Sequence, residues 1–156
     1  MNGNEVVYKI LGDCYYNGDG VRKNKAIAEK WYRKKAEEGD AYAQYELGNR
    51  YFEGDNVPQN FDEALKWYRK SAEQGNDEAQ KSMGDCYYYG YGVPQNHEEA
   101  VKWYQLSAEN GNALAQKIIG DCYYNGDGVP QNKAKATKWH RRAELSRSYI
   151  YEPPPI

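Results

Sequence analysis

Histidine, cysteine, phenylalanine and methionine are nearly missing from this 156-residue chain, which holds two, three, two and two of them. His97 and His140 form no imidazole cluster for a metal, and neither stands at a suggestive spacing from a cysteine or serine nucleophile. No serine sits in a nucleophile elbow. The glycine-rich stretch Asn17-Gly-Asp-Gly-Val21 lacks the spaced oxygen ligands and final glutamate of a calcium loop, and the Gly-Lys-Ser/Thr of a phosphate loop. No enzyme activity, metal or cofactor is therefore expected. An excess of one charge is also missing: 21 basic and 23 acidic side chains leave a formal net charge of -2. This offers no counterion-release footprint for nucleic acid and no basic face for anionic lipid. No apolar run approaches the roughly 20 residues of a membrane span, and the polar first residues do not resemble a signal peptide, so a cytoplasmic location is expected.

What the chain has instead is repetition. The decapeptide Gly12 to Val21 returns unchanged at Gly120 to Val129, with looser copies at Gly48 to Val57 and Gly84 to Val93. Starts at 12, 48, 84 and 120 set a period of 36 residues, the signature of a solenoid in which each unit packs on its neighbours. The array is expected to span residues 1–146, in copies at about 3–38, 39–74, 75–110 and 111–146, followed by a proline-rich tail at 147–156.

Each copy divides into two helical patterns. In the second, Gln44, Leu47, Gly48 and Tyr51 share one stripe, and Ala64, Leu65, Trp67, Tyr68 and Ala72 share another. Gly54 ends the first helix, helix A, and Asn60 is placed to cap the second, helix B. Glycine inside helix A at 12, 48, 84 and 120 costs about 1 kcal/mol relative to alanine, so its recurrence implies a close crossing by helix B. Trp31, Trp67, Trp103 and Trp139, beside small alanines, are expected to be the core of the seam. His140 replaces Tyr32, Tyr68 and Tyr104 and is expected to fill the same repeat position. Cys14, Cys86 and Cys122 share one position, where the second copy has Arg50. Stacked helices lie about 8 to 10 Å apart, beyond the roughly 7 Å limit between Cα atoms for a disulfide, so these thiols are expected to be free and half-buried.

The pattern Ala43-x3-Leu47-Gly48-x2-Tyr51-x2-Gly54-x2-Val57-x6-Ala64-x2-Trp67-x4-Ala72-x2-Gly75 resembles the Sel-one-like repeat, a relative of the tetratricopeptide repeat. The resemblance implies an all-α, right-handed superhelical solenoid of four helix-turn-helix repeats. It also implies an adaptor or scaffold that binds proteins or peptides. A cysteine-rich branch linked to penicillin binding carries a disulfide pair in each repeat, a pattern this chain lacks.

Helical residues advance by about 100° each. With the Leu47 stripe facing inward, the opposite face of helix A presents four columns. They are Lys9, Tyr45, Lys81, Lys117; Asp13, Asn49, Asp85, Asp121; Asn17, Glu53, Tyr89, Asn125; and, flanking, Tyr16, Phe52, Tyr88, Tyr124. Similarity to tetratricopeptide arrays implies that this face lines the concave side. Two readings stay open. The charges are surface pairs along one helix, or the Asp and Asn side chains grip the backbone of an extended peptide while the tyrosines stack on it. The expected function is non-catalytic peptide or protein binding, with the tail of a neighbouring molecule as one candidate ligand. The alternative is a small-molecule or cell-wall-fragment binder, or a hydrolase, using the same groove.

Overall fold

The computed structural model describes residues 3–148, except for the side chains of residues 3–6, 8, 9 and 148. The proline-rich tail expected to dock or hang free lies outside the described residues, apart from its first two positions. Among the described residues there are eight helices and no strand: α1 (Gly3–Asn17), α2 (Lys25–Glu37), α3 (Ala41–Glu53), α4 (Phe61–Glu73), α5 (Asp77–Tyr89), α6 (His97–Glu109), α7 (Ala113–Asn125) and α8 (Lys133–Ser148). The protein is an all-α repeat solenoid. Its helices fall into two compact units, which part between Asn76 and Asp77, so each unit holds two helical hairpins.

Local chemistry sets the hairpin ends. Gly54 and Gly126 close α3 and α7 in the left-handed conformation, at φ of 72° and 71°, which a β-carbon disfavours. Asn24, Asn60, Asn96 and Asn132 then accept a hydrogen bond from the backbone N–H three residues on, as N-caps of α2, α4, α6 and α8. In three copies the glutamine before the cap donates back to helix A: Gln59 to the Phe52 carbonyl at 2.9 Å, Gln95 to Tyr88 at 2.7 Å and Gln131 to Tyr124 at 2.8 Å.

The interior of unit 1 gathers Ala36, Ala43, Leu47 and Trp67, and that of unit 2 gathers Ala100, Val101, Tyr104, Ala108, Ala115, Ile119 and Cys122. Buried polar groups tie one hairpin to the next inside each unit. Gln44 Nε2 donates to the Ala36 carbonyl and Gln116 Nε2 to the Ala108 carbonyl, each at 3.1 Å, a second bond on helix-end carbonyls that also accept from the Gly39 and Gly111 N–H groups.

The close crossing at the helix A glycines is present, but the partner differs from the expected one. A β-carbon on Gly48 would lie 2.6 Å from the Tyr68 ring, one on Gly84 2.5 Å from Tyr104, and one on Gly120 2.5 Å from His140. The residue after each tryptophan therefore makes the seam, and Tyr32, Tyr68 and Tyr104 are buried. Trp67 is buried, whereas Trp31, Trp103 and Trp139 are only half-buried. The reason is helical phase: a step of about 100° turns either the tryptophan or the tyrosine toward the glycine, not both. His140 occupies the tyrosine position, as its place in the repeat predicts.

Candidate functional site

The second column of helix A binds the seam tyrosine of the same hairpin. In unit 1 the Tyr32 hydroxyl donates to Asp13 Oδ1, and Tyr42 donates to the same oxygen at 3.1 Å. The Tyr68 hydroxyl donates to Asn49 Oδ1 at 2.8 Å. In unit 2 Tyr104 donates to Asp85 Oδ1 at 2.8 Å, and His140 Nε2 stands 2.8 Å from Asp121 Oδ1. The second oxygen is engaged as well at Asp13, where Tyr42 reaches Oδ2 at 3.4 Å, and at Asp85, where Lys81 pairs with Oδ2 at 2.8 Å. Burial, reinforced by the neighbouring carboxylate, raises the Tyr32 and Tyr104 hydroxyls far above the ordinary phenol value, so both remain protonated donors.

The flanking column joins adjacent hairpins within a unit. Tyr16 donates to Asp55 Oδ2 at 3.0 Å, and Lys25 Nζ lies 2.8 Å from the other oxygen. The same triad recurs in unit 2, where Tyr88 donates to Asp127 Oδ2 at 2.8 Å, His97 Nδ1 pairs with Asp127 Oδ1, and the His97 ring stacks on Tyr88 at 4.3 Å. The Tyr88 phenol is pushed up to about 12, first by the hydrogen bond to Asp127 and then by burial. Lys25 holds the Asp55 carboxyl below the usual carboxylate range. Burial opposes the same shift at Asp127, yet the His97 and Tyr88 hydrogen bonds bring its value down.

The remaining predicted residues are distributed as follows. In unit 1 the Tyr45 ring lies 6.1 Å from Tyr68, Phe52 packs 5.2 Å from Phe61, and Asn17 and Glu53 are exposed at the helix ends. The side chain of Lys9 lies outside the described residues. In unit 2 Lys81 pairs with Asp85 at 2.8 Å, the same-helix pair that the four-residue spacing allows. Lys117, Asn125 and Tyr124 are exposed, Tyr124 with Lys133 Nζ 5.6 Å from its ring centre. Tyr89 is 59% exposed and meets Tyr88 edge-on, with ring centres 4.9 Å apart.

Five of the predicted residues, Asp85, Tyr88, Tyr89, Asp121 and Asn125, meet around one pocket of about 200 Å³ in unit 2. The sequence columns missed its other walls, Tyr104, Ile118, Cys122 and Asp127. Tyr104 was hidden among seam residues, and Asp127 lies in a loop. Their signal is a fixed offset: Asp55 and Asp127 each follow a flanking tyrosine by 39 residues. Three acidic side chains and three tyrosine rings can hold a cation or a hydrogen-bond donor. No nucleophile is activated there, since burial, then Asp127 and Asp121, raise the Cys122 thiol to about 11. All three cysteines are free. Among the described residues no group of histidine, cysteine and carboxylate side chains could hold a metal ion, and no helix is long and apolar enough to cross a membrane.

Paired helices repeated at a fixed period, with a polar aromatic face on the first helix of each pair, define a helical-hairpin repeat protein. The Sel1 repeat model matches residues 10–40, 41–76, 77–112 and 113–145, and the chain belongs to the Sel1 repeat family. Proteins of this family are generally protein-interaction scaffolds. Among solved structures, the chain is similar to c5321, a protective antigen present in uropathogenic Escherichia coli strains that displays the same fold, at 41% identity and a TM-score of 0.84, over 89% of this chain and 30% of that one. It is also similar to a Sel1 repeat protein from Oxalobacter formigenes, at 37% identity and a TM-score of 0.83, over 89% of this chain and 57% of that one. The chain therefore spans about a third of the first and a little over half of the second. Cysteine rich protein B of Helicobacter pylori shares the fold at 22% identity and a TM-score of 0.63, over 83% of this chain and 92% of that one. No curated protein matches the chain.

Proposed function

We propose that the chain is a non-catalytic interaction module that holds an extended segment of a partner protein against the helix A face, with unit 2 carrying the principal subsite. The observation that carries this reading is the unit 2 pocket, around which five residues of the helix A face converge. Its volume of about 200 Å³ is below the roughly 300 to 1,000 Å³ of a small-molecule site. That size suits one side chain of a longer ligand, and it argues against a cell-wall fragment or a hydrolase substrate enclosed whole. The proline-rich tail of a neighbouring molecule is one extended segment such a face would take.

The test is selection from a displayed peptide library, followed by fluorescence anisotropy of the selected peptides. Tyr89→Ala combined with Tyr124→Ala should weaken binding by about tenfold or more, a loss of roughly 1.4 kcal/mol. These two rings are exposed, so their removal should leave the helical circular dichroism unchanged; Tyr88 is a poorer probe because it also anchors Asp127. Unchanged affinity, or thermal stabilisation by sugars and β-lactams alone, would reject the reading.

A further inference from the structure

Four walls of the unit 2 pocket have an identical counterpart two repeats earlier: Asp85, Tyr88, Tyr104 and Asp127 correspond to Asp13, Tyr16, Tyr32 and Asp55. In unit 1 a side chain of the protein itself reaches those residues. The Arg50 guanidinium lies over the Tyr16 ring at 3.9 Å and near the Tyr32 ring at 5.2 Å. It pairs with Glu46 at 3.2 Å and is only 5% exposed. At the matching position unit 2 has Cys122, a shorter side chain with no guanidinium, and there the pocket opens.

The charges change in the same direction. Unit 1 sets Asp13, Glu46 and Asp55 against Arg50 and Lys25. Unit 2 keeps three carboxylates, Asp85, Asp121 and Asp127, but replaces the arginine by a buried thiol and the lysine by His97. Lys81 offsets one of them, at Asp85. What remains is a tyrosine-walled, carboxylate-rimmed space without the cation that its counterpart encloses.

We propose that the unit 2 pocket takes an arginine side chain of the partner segment, which occupies the place that Arg50 fills in unit 1. This deepens the reading of the helix A face as a ligand surface and rests on it. A planar guanidinium can lie on a tyrosine face while its N–H groups reach carboxylates, which an ammonium cannot do at once; Arg50 sits 3.9 Å over the Tyr16 ring and donates to Glu46 at 3.2 Å. The exposed Tyr89 ring provides the outer wall, and Asp121 stands where unit 1 has the neutral Asn49 while Ile118 replaces Glu46, so the carboxylate count is kept where the internal arginine is missing.

Chemical-shift titration of the full chain with a capped Gly-Arg-Gly peptide, beside its lysine and citrulline counterparts, tests the assignment. The arginine peptide should give saturable shifts at the Cys122 amide and the Tyr88 and Tyr104 rings, with citrulline weaker by about tenfold or more and lysine in between. Cys122→Arg recreates unit 1 and should abolish binding. Asp121→Asn places in unit 2 the residue that unit 1 already tolerates, and should weaken binding severalfold in a folded protein. No saturable shift, citrulline or lysine binding as tightly as arginine, or unchanged binding in Asp121→Asn would overturn the proposal, whether or not Cys122→Arg folds. If library peptides bind through Tyr89 and Tyr124 with no arginine preference, the arginine assignment alone falls. If no peptide binds the face at all, the underlying function falls with it.

Discussion

Units 1 and 2 repeat the same parts, yet they use them differently. Both clamp helix B with a tyrosine hydroxyl on a helix A aspartate, and both join their hairpins by a tyrosine–aspartate–base triad. In unit 1 the space beside those groups is closed by Arg50 and Glu46, whereas in unit 2 Cys122 and Ile118 leave it open. In a near-periodic array the constant positions maintain the fold. A ligand subsite arises where a constant framework loses one of its fillers, so departures from the period carry more functional information than the period does.

The largest expected effect tests whether the units are packed alike. Trp67 is buried in unit 1 and its counterpart two repeats on, Trp139, is half-buried in unit 2. Trp67→Ala should cost about 3 to 5 kcal/mol, the range for truncating a large core aromatic. Trp139→Ala should cost clearly less, because part of its ring already faces water. Urea unfolding of the two variants checks this, and equal losses would remove the packing difference between the units.

Removing the filler tests the comparison more directly. Arg50→Ala leaves Glu46 without its cation, and breaking such an enclosed pair costs about 3 to 5 kcal/mol if the charge stays uncompensated, less where water reaches it. Burial already raises the Glu46 carboxyl above its ordinary 4.5, and Arg50 is the influence that pulls it down. Without Arg50 only raising influences dominate. A carboxyl whose folded pKa lies above its unfolded value disfavours folding once ionised. The deficit of the variant should therefore be small below pH 4.5, the unfolded value, and grow as the pH rises through the folded value. Urea midpoints measured across that range should diverge upward, and a pH-independent gap would mean that Arg50 acts through packing alone. Cys122→Ala, at the same position in unit 2, should cost no more than about 1 kcal/mol, the centre of the range for single substitutions.

Much of this was legible in the sequence because its causes are local. Gly54 must end a helix and Asn60 must cap one wherever they stand, so the hairpins, their turns and the period could be read from residue types. The choice between Trp67 and Tyr68 for the glycine seam could not, since adjacent large aromatics differ only by helical phase, which the stripe pattern leaves uncertain by about one residue. Helical spacing also found the columns of the face. It did not reveal that Asp13, Asn49, Asp85 and Asp121 each hold a seam side chain 19 residues on, a pairing set by how two helices cross. Arg50 stood out as an exception in the cysteine column, but its burial over Tyr16 depends on side-chain reach, which composition and period do not encode.

Lys81 sharpens the comparison at the smallest energetic scale. It pairs with Asp85 along α5 at 2.8 Å, and such a half-exposed pair stabilises a helix by about 0.2 to 0.5 kcal/mol. Lys81→Ala should therefore barely move the unfolding midpoint. Its effect on the pocket should run the other way: the substitution removes a positive charge beside Asp85, so a guanidinium no longer competes with a resident cation. The arginine peptide should bind severalfold more tightly at low salt, with the gain shrinking as ionic strength rises, because partly exposed charges are screened over about 10 Å at 0.1 M. Looser binding would instead make Lys81 part of the ligand contact, and would turn the pocket from a cation subsite into one that needs its own positive charge.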